Sequence, residues 1–431
     1  MTNLELAVSD DRILNEGYGS RALNDYLVRA EGCHVWDHAG RKYVDLAMGG
    51  GSMILGHGDR EVQEAIIEQS AYGSIFAAPH AAVHEMGELL AGILPWFGGF
   101  VFCNSGSEAI MRLVRIARAV TGKQKLRKIG LFSGCWHGSW DGTLVEEDYD
   151  HPRPPLWGLP GAQLKSAGTL PETLDSILLL PYRDESAFDL IRENKNDLAC
   201  VLIEPVQGSN PSDEAGNFLR DLRHTTTDCG VLLAFDEVIT GFRLGLGGGQ
   251  EYFGVHGDLA AYGKILGGGL PVGMVAGTKA IMDKARSKGV FFGGTFSANP
   301  LTIAAGMAAL RYLVQHPETY DRLASAGNLL RSSVNQYCTE TGLPAHMMGA
   351  GSISRLILVA ERVHSRRERD LKEPDAETQK RFYADVRARG VWIGTNRIQF
   401  LSMAHGVSEI GRAASALCGS LAAWEESEKE H

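Results

Sequence analysis

Five short apolar runs constrain this chain more than any other feature. They read GFVFC (99–103), KIGLF (128–132), LACVLIE (198–204), VLLAFDE (231–237) and PVGMVAG (271–277). None alternates polar with apolar residues, as expected of strands buried on both faces. Helical stretches separate them, among them REVQEAIIEQSA (60–71) and SEAIMRLVRIARAVTG (107–122). Strand and helix in alternation predict an α/β fold with a mostly parallel sheet. Upstream, HVWDHAGRKYVDL (34–46) predicts a β-hairpin turning at Asp37–Gly40. Downstream, NPLTIAAGMAALRYLVQ (299–315) and a polar helical tail predict a smaller domain. With 431 residues the chain exceeds one ordinary core. The expected division is an N-terminal segment of the small domain (1–55), a large domain (56–300) and the C-terminal small domain (301–431).

Composition narrows the function. A formal charge of −10 repels phosphate backbones, so nucleic acid is not an expected partner. The seven cysteines are scattered without C-x-x-C or zinc spacing, which predicts free thiols, a reducing compartment and no metal site. The start, MTNLELAVSDDRILNE, lacks an apolar signal core, and no apolar run reaches the roughly 18 residues that span a bilayer. The expectation is a cytoplasmic protein with no membrane partner.

Ligands of open α/β sheets bind beyond the carboxyl ends of the strands. Four groups gather there. NSGSEA opens a helix after GFVFC, and unpaired first-turn N–H groups bind phosphate well; the same turn also reads as a plain helix start capped by Ser107. Trp136 and His137 follow KIGLF, where an aromatic side chain stacks on a flat ring or simply packs. Asp236 ends VLLAF as a ligand group or a structural acid. Lys264 stands in YGKILGGGLPVG (262–273), and a desolvated lysine becomes a nucleophilic amine that forms Schiff bases. A phosphate site, an aromatic lid, a carboxylate for a ring nitrogen and an amine for an aldehyde together describe a pyridoxal 5′-phosphate site. The glycines around Lys264 are expected to let the backbone pass close to the cofactor.

At these residues the sequence resembles the class III aminotransferases of fold type I, in the glutamate-1-semialdehyde aminomutase branch. The motifs are NSGSEA, CWHG, EPVQG, FDEVITGFR, QEYFGVHGDLAAYGKILGGGLPVG and GGTFSANP, with FLSMAH near residue 400. The resemblance implies a large domain with a seven-stranded, mostly parallel sheet and a smaller α+β domain built from both ends of the chain. It implies that Lys264 holds pyridoxal phosphate and shuttles a proton, and that Asp236 pairs with the ring nitrogen. Val238 would pack beneath the ring and Trp136 above it, followed by His137. Gly106 and Ser107 would hold the phosphate, and Gln207 would approach the phenolic oxygen. Thr295 would reach the phosphate of a neighbouring subunit, which implies a homodimer.

Three departures bear on the substrate. Gly49–Gly51 stand where the aminomutase carries a tryptophan, which predicts a wider pocket. Arg397 replaces an acid before FLSMAH and resembles a carboxylate-binding arginine; Arg21 is a second candidate. Glu146, Glu147, Asp148 and Asp150 form an acidic segment, either a receptor for a cationic substrate or solvated loop charge. Together these favour transamination between two substrates, with L-glutamate as donor. GGGSMILGHGD (49–59) resembles the corresponding stretch of transaminases of aminoglycoside antibiotic biosynthesis, which implies an oxidised amino sugar as acceptor. The alternatives are an aminomutase or epimerase, a β-amino acid transaminase, and a non-catalytic binding protein of the same fold.

Overall fold

The computed structural model describes residues 26–76, 78–122, 128–149 and 161–429. Its centre is a seven-stranded sheet. In spatial order the strands are Gly99–Cys103, Gly273–Gly277, Leu259–Gly263, Leu232–Asp236, Leu198–Ile203, Lys128–Phe132 and Ile177–Leu180. Gly273–Gly277 runs antiparallel to both neighbours, and the pairings from Leu259–Gly263 across to Ile177–Leu180 are all parallel. The five expected strands are present. Ile177–Leu180 and Leu259–Gly263 are additional, and the second of these leads directly into Lys264.

Side chains along these strands alternate between two buried faces, which explains their continuous apolar sequence. Val201, Leu233, Phe235 and Tyr262 join one core cluster, whereas Cys200, Leu202, Ala234 and Ala261 join another. The second packs on Ile110, Leu113, Val114 and Ala117 of helix Gly106–Thr121.

A separate core lies in the smaller unit, around Val44, Leu46, Leu330, Leu356, Phe382 and Leu417. Both ends of the chain build it. The expected hairpin forms from His34–Asp37 and Lys42–Asp45, and Val391–Trp392 adds in parallel to its second strand. Asp37 is buried in the turn, where it accepts from Tyr43 Oη at 2.7 Å and from the N–H groups of Ala39 and Arg41. These bonds hold its carboxyl down at about 2 against the effect of burial. Among the described residues, no helix is long and apolar enough to cross a membrane.

Candidate active site

The carboxyl ends of the central strands and the start of helix Gly106–Thr121 meet in one place. Ser105 is the helix cap, its Oγ accepting from Glu108 N–H at 3.1 Å. Ser107, which the sequence offered as the cap, lies inside the first turn and accepts from Ser139 N–H at 3.1 Å. The first-turn N–H groups of Gly106 and Ser107 have no acceptor within the helix. A Cβ at Gly106 would stand 3.0 Å from both methyl carbons of Val238, so only glycine lets the helix start lie against that residue.

Asp236 ends its strand and is buried. Its Oδ2 lies 2.8 Å from His137 Nδ1, and its Oδ1 accepts from Val238 N–H at 3.0 Å. The other ring nitrogen of His137 is buried without a partner among the described residues. Trp136 sits on the loop before His137, with 47% of its surface exposed and Lys165 Nζ 5.0 Å from its ring centre. That loop is held along its length: Trp136 N–H donates to Glu204 Oε2 at 3.1 Å, and Thr143 Oγ1 donates to His137 O at 3.1 Å.

Gln207 is buried beside the loop, but its Nε2 donates to Ser133 O at 2.8 Å and lies 3.7 Å from Cys135 Sγ. The donor expected to face a phenolic oxygen is turned toward the protein. Glu204, given no role on the sequence, is fully enclosed. Burial and the neighbouring Asp236 push its carboxyl up to about 7. The signal available for it was its place at the end of an apolar run, one residue before Pro205.

Lys264 follows strand Leu259–Gly263 with φ +47°, at the head of the short 3-10 turn Lys264–Gly267. Burial lowers its amine pKa, while Asp236 and Glu204 oppose the shift. One of the adjacent glycines also serves a contact within the protein. A Cβ at Gly268 would stand 2.6 Å from Ala305 O, so the turn packs backbone to backbone on helix Pro300–Gln315.

The far wall departs more from expectation. Met48, Gly49, Gly50 and Gly51 all have positive φ, a left-handed turn that glycine accommodates and side chains resist. A Cβ at Gly51 would meet Phe400 Cε1 at 2.8 Å. The Phe400 ring thus occupies the space toward which a side chain at Gly51 would project. Arg397 bonds to Gln379 Oε1, and its guanidinium lies 5.3 Å from the Tyr383 ring centre. It adjoins the Gln207–Gly208 loop through Ile398, whose Cδ1 would be 3.6 Å from a Cβ at Gly208. Arg21 and Asp150 lie outside the described residues.

The acidic segment is an internal strand, Val145–Asp148, paired with Gly161–Leu164. Glu147 is buried against Ser133 Oγ and Arg367, the latter at 3.0 Å, and Glu146 pairs with Lys165 at 3.5 Å. Arg367 and Lys165 meet the charges of these two acids. Thr295 is exposed, on a loop held by buried Arg112 through Phe292 O and by Gly293 O at 3.1 Å.

The model of the family "Aminotransferase class-III" matches residues 18–406. The chain belongs to the class III aminotransferases. Enzymes of this class work with pyridoxal 5′-phosphate. The chain is 35% identical over 391 residues to glutamate-1-semialdehyde 2,1-aminomutase 2 of Lachnoclostridium phytofermentans, covering 89% of each. A solved ω-transaminase from Sphaerobacter thermophilus superposes with a TM-score of 0.85 at 33% identity, over 94% of this chain and 92% of that one. A β-phenylalanine aminotransferase from Variovorax paradoxus gives 0.81 at 29% identity, over 93% and 87%.

The residues of this class III aminotransferase fit the cofactor on their own chemistry. The Gly106 cradle leaves unpaired N–H groups where a phosphate binds best. Asp236 offers a buried carboxylate, His137 an orphaned ring nitrogen, and Lys264 an amine with lowered proton affinity.

Proposed function

We propose that this enzyme transfers an amino group between carboxylate-bearing amino and oxo substrates. The observation that carries the reading is the desolvated Lys264 amine at a strand tip, beside the Asp236–His137 pair and the Gly106 cradle. Gly106 and Ser107 would hold the phosphate of pyridoxal 5′-phosphate, with Val238, Trp136 and Gln207 around its ring. When bound, pyridoxal phosphate supplies an electrophilic carbon and an electron sink. Lys264 anchors it covalently. Its Nζ, whose proton affinity burial lowers, would take the proton from the substrate carbon and later return it. His137 orients Asp236, whose carboxylate favours a protonated ring nitrogen. Arg397, steadied by Gln379 and Tyr383, grips the substrate carboxylate through two parallel bonds.

The pairing of Glu146 and Glu147 with Lys165 and Arg367 weakens the support those two acids lend to a cationic amino sugar as acceptor. A β-amino acid or L-glutamate as donor fits Arg397 better, and the similarity to the two transaminases points the same way. The exposed Phe291 (70%) and Phe296 (60%) flanking Thr295 support a homodimer in which this loop reaches the partner's phosphate site.

A second reading, isomerisation of one amino aldehyde, is favoured by the similarity to the aminomutase. One experiment separates the two. The enzyme is incubated with L-glutamate or a β-amino acid, without acceptor. Oxo acid formed in proportion to enzyme supports transamination. Its absence, together with conversion of glutamate-1-semialdehyde as sole substrate, overturns it in favour of the aminomutase.

A further inference from the structure

Glu204 has no part in the reading above, yet it joins the two loops that carry the lid and Gln207. It is 3% exposed. Trp136 N–H donates to one carboxyl oxygen at 3.1 Å and Gly208 N–H to the other at 3.4 Å. The crevice is tight: a Cβ at Gly208 would stand 3.3 Å from Glu204 Oε1 and 2.7 Å from Ile239 Cδ1.

The titratable groups around it come from four directions. His137 and Cys135 face it from the lid loop, Asp236 from the neighbouring strand tip, and Lys264 from the turn beyond. Tyr182 faces it from the next loop, its hydroxyl donating to the Glu204 carbonyl at 3.1 Å. Asp236 has His137 and a backbone N–H, whereas the Glu204 carboxyl hydrogen-bonds only to backbone N–H groups among the described residues. Two carboxyls in one buried space do not both ionise cheaply.

We propose that Glu204 is a positioning residue that clamps the Trp136 lid to the Gln207–Gly208 loop, and that its carboxyl is the site's exchangeable proton store, releasing a proton to solvent when positive charge appears beside Asp236 and regaining it when that charge leaves. The balance is a carboxylic acid giving a carboxylate and one solvent proton. This rests on the cofactor reading above only for the charge that appears; the clamp and the titration belong to the protein alone. Burial with Asp236 alongside places the titration at about 7, so both forms are populated near neutrality.

The test compares wild type with Glu204→Gln and Glu204→Ala. Infrared difference spectra of the apoprotein from pH 5.5 to 8.5 should show a protonated-carboxyl stretch in wild type that disappears near pH 7, the position set by the about 7 above, and that is missing in both variants. After reconstitution with pyridoxal phosphate, the visible band of wild type should shift over the same range. In Glu204→Gln it should be flat, with cofactor affinity within roughly threefold because the amide oxygen still accepts from Trp136. Glu204→Ala should bind cofactor roughly tenfold more weakly through loss of the clamp. An identical infrared titration in wild type and Glu204→Gln overturns the proton store, and unchanged affinity in Glu204→Ala overturns the clamp. Failure of wild type to develop any visible band with pyridoxal phosphate would instead overturn the cofactor reading, and the apoprotein spectra would still decide the titration.

Discussion

The two walls of the site are held in different ways. On the large-domain wall the groups stand at strand ends, on the loop after Phe132 or in the first turn of a helix, and they bond to one another along the carboxyl edge of the sheet: His137 to Asp236, Trp136 to Glu204, Ser139 to Ser107. The small-domain wall is stitched together by arginines that cross between distant segments. Arg243 is fully enclosed and donates to Gly51 O, to Ser352 Oγ at 3.0 Å and to Leu401 O at 3.2 Å. Arg355 reaches Asn396 O at 3.0 Å, and Arg369 reaches Ser209 O. A sheet positions its tips within the spacing of its own ladder, whereas a stitched wall can exchange side chains without disturbing the sheet. Under the proposed function, the first wall carries the chemistry and the second selects the substrate.

That division can be broken by substitution. Lys264→Ala should lower turnover by roughly 10³-fold or more with the fold intact, because it removes both anchor and base; near-normal single-turnover rates would place the chemistry elsewhere. Arg243→Met leaves three acceptors without their donor and should destabilise by about 2–4 kcal/mol, read from urea unfolding. A loss confined to catalysis would contradict the stitching role. Arg397→Gln should raise the amino-acid KM by roughly 10- to 100-fold with little change in kcat. An equal fall in kcat would move Arg397 into the chemical step.

A pH test sharpens the sheet-side account. The folded carboxyl of Glu204 is raised from 4.5 to about 7, so the folded state binds a proton that the unfolded chain has released. Its contribution to stability is full below pH 4.5 and is lost as pH rises through about 7. The apoprotein should therefore lose stability across that window, and Glu204→Gln should flatten the slope in urea unfolding at a series of pH values. The smallest effect expected is for Ser105→Ala, about 1 kcal/mol for a lost helix cap. If Ser107→Ala costs as much instead, the cap has been placed at the wrong serine.

Much of the sheet-side wall was legible because its signals are local. An apolar run announces a strand, and the residue after it must stand at the strand's end, so Asp236, Gly106 and His137 could be located from sequence. Strand Leu259–Gly263 was harder to see, since LAAYG is short and built of small residues. Glu204 shares that signal at the end of LACVLI, but its place there does not say that the carboxyl is buried beside Asp236. The charge of the acidic segment is read less well from sequence: Glu147 looks exposed there, and its partner Arg367 lies far along the chain.

The sequence by itself determined the α/β architecture, the hairpin at 34–46 and the set of groups at the strand tips, since each follows from periodicity or from position after an apolar run. Only the tertiary structure decided that Ser105 rather than Ser107 caps the helix, that Phe400 fills the space beside Gly51, that Glu146 and Glu147 are paired, and that Gln207 turns to Ser133. Each of these depends on which atoms lie within about 3 Å across long stretches of chain, and hydrogen bonding and close packing settle that after folding has brought the segments together.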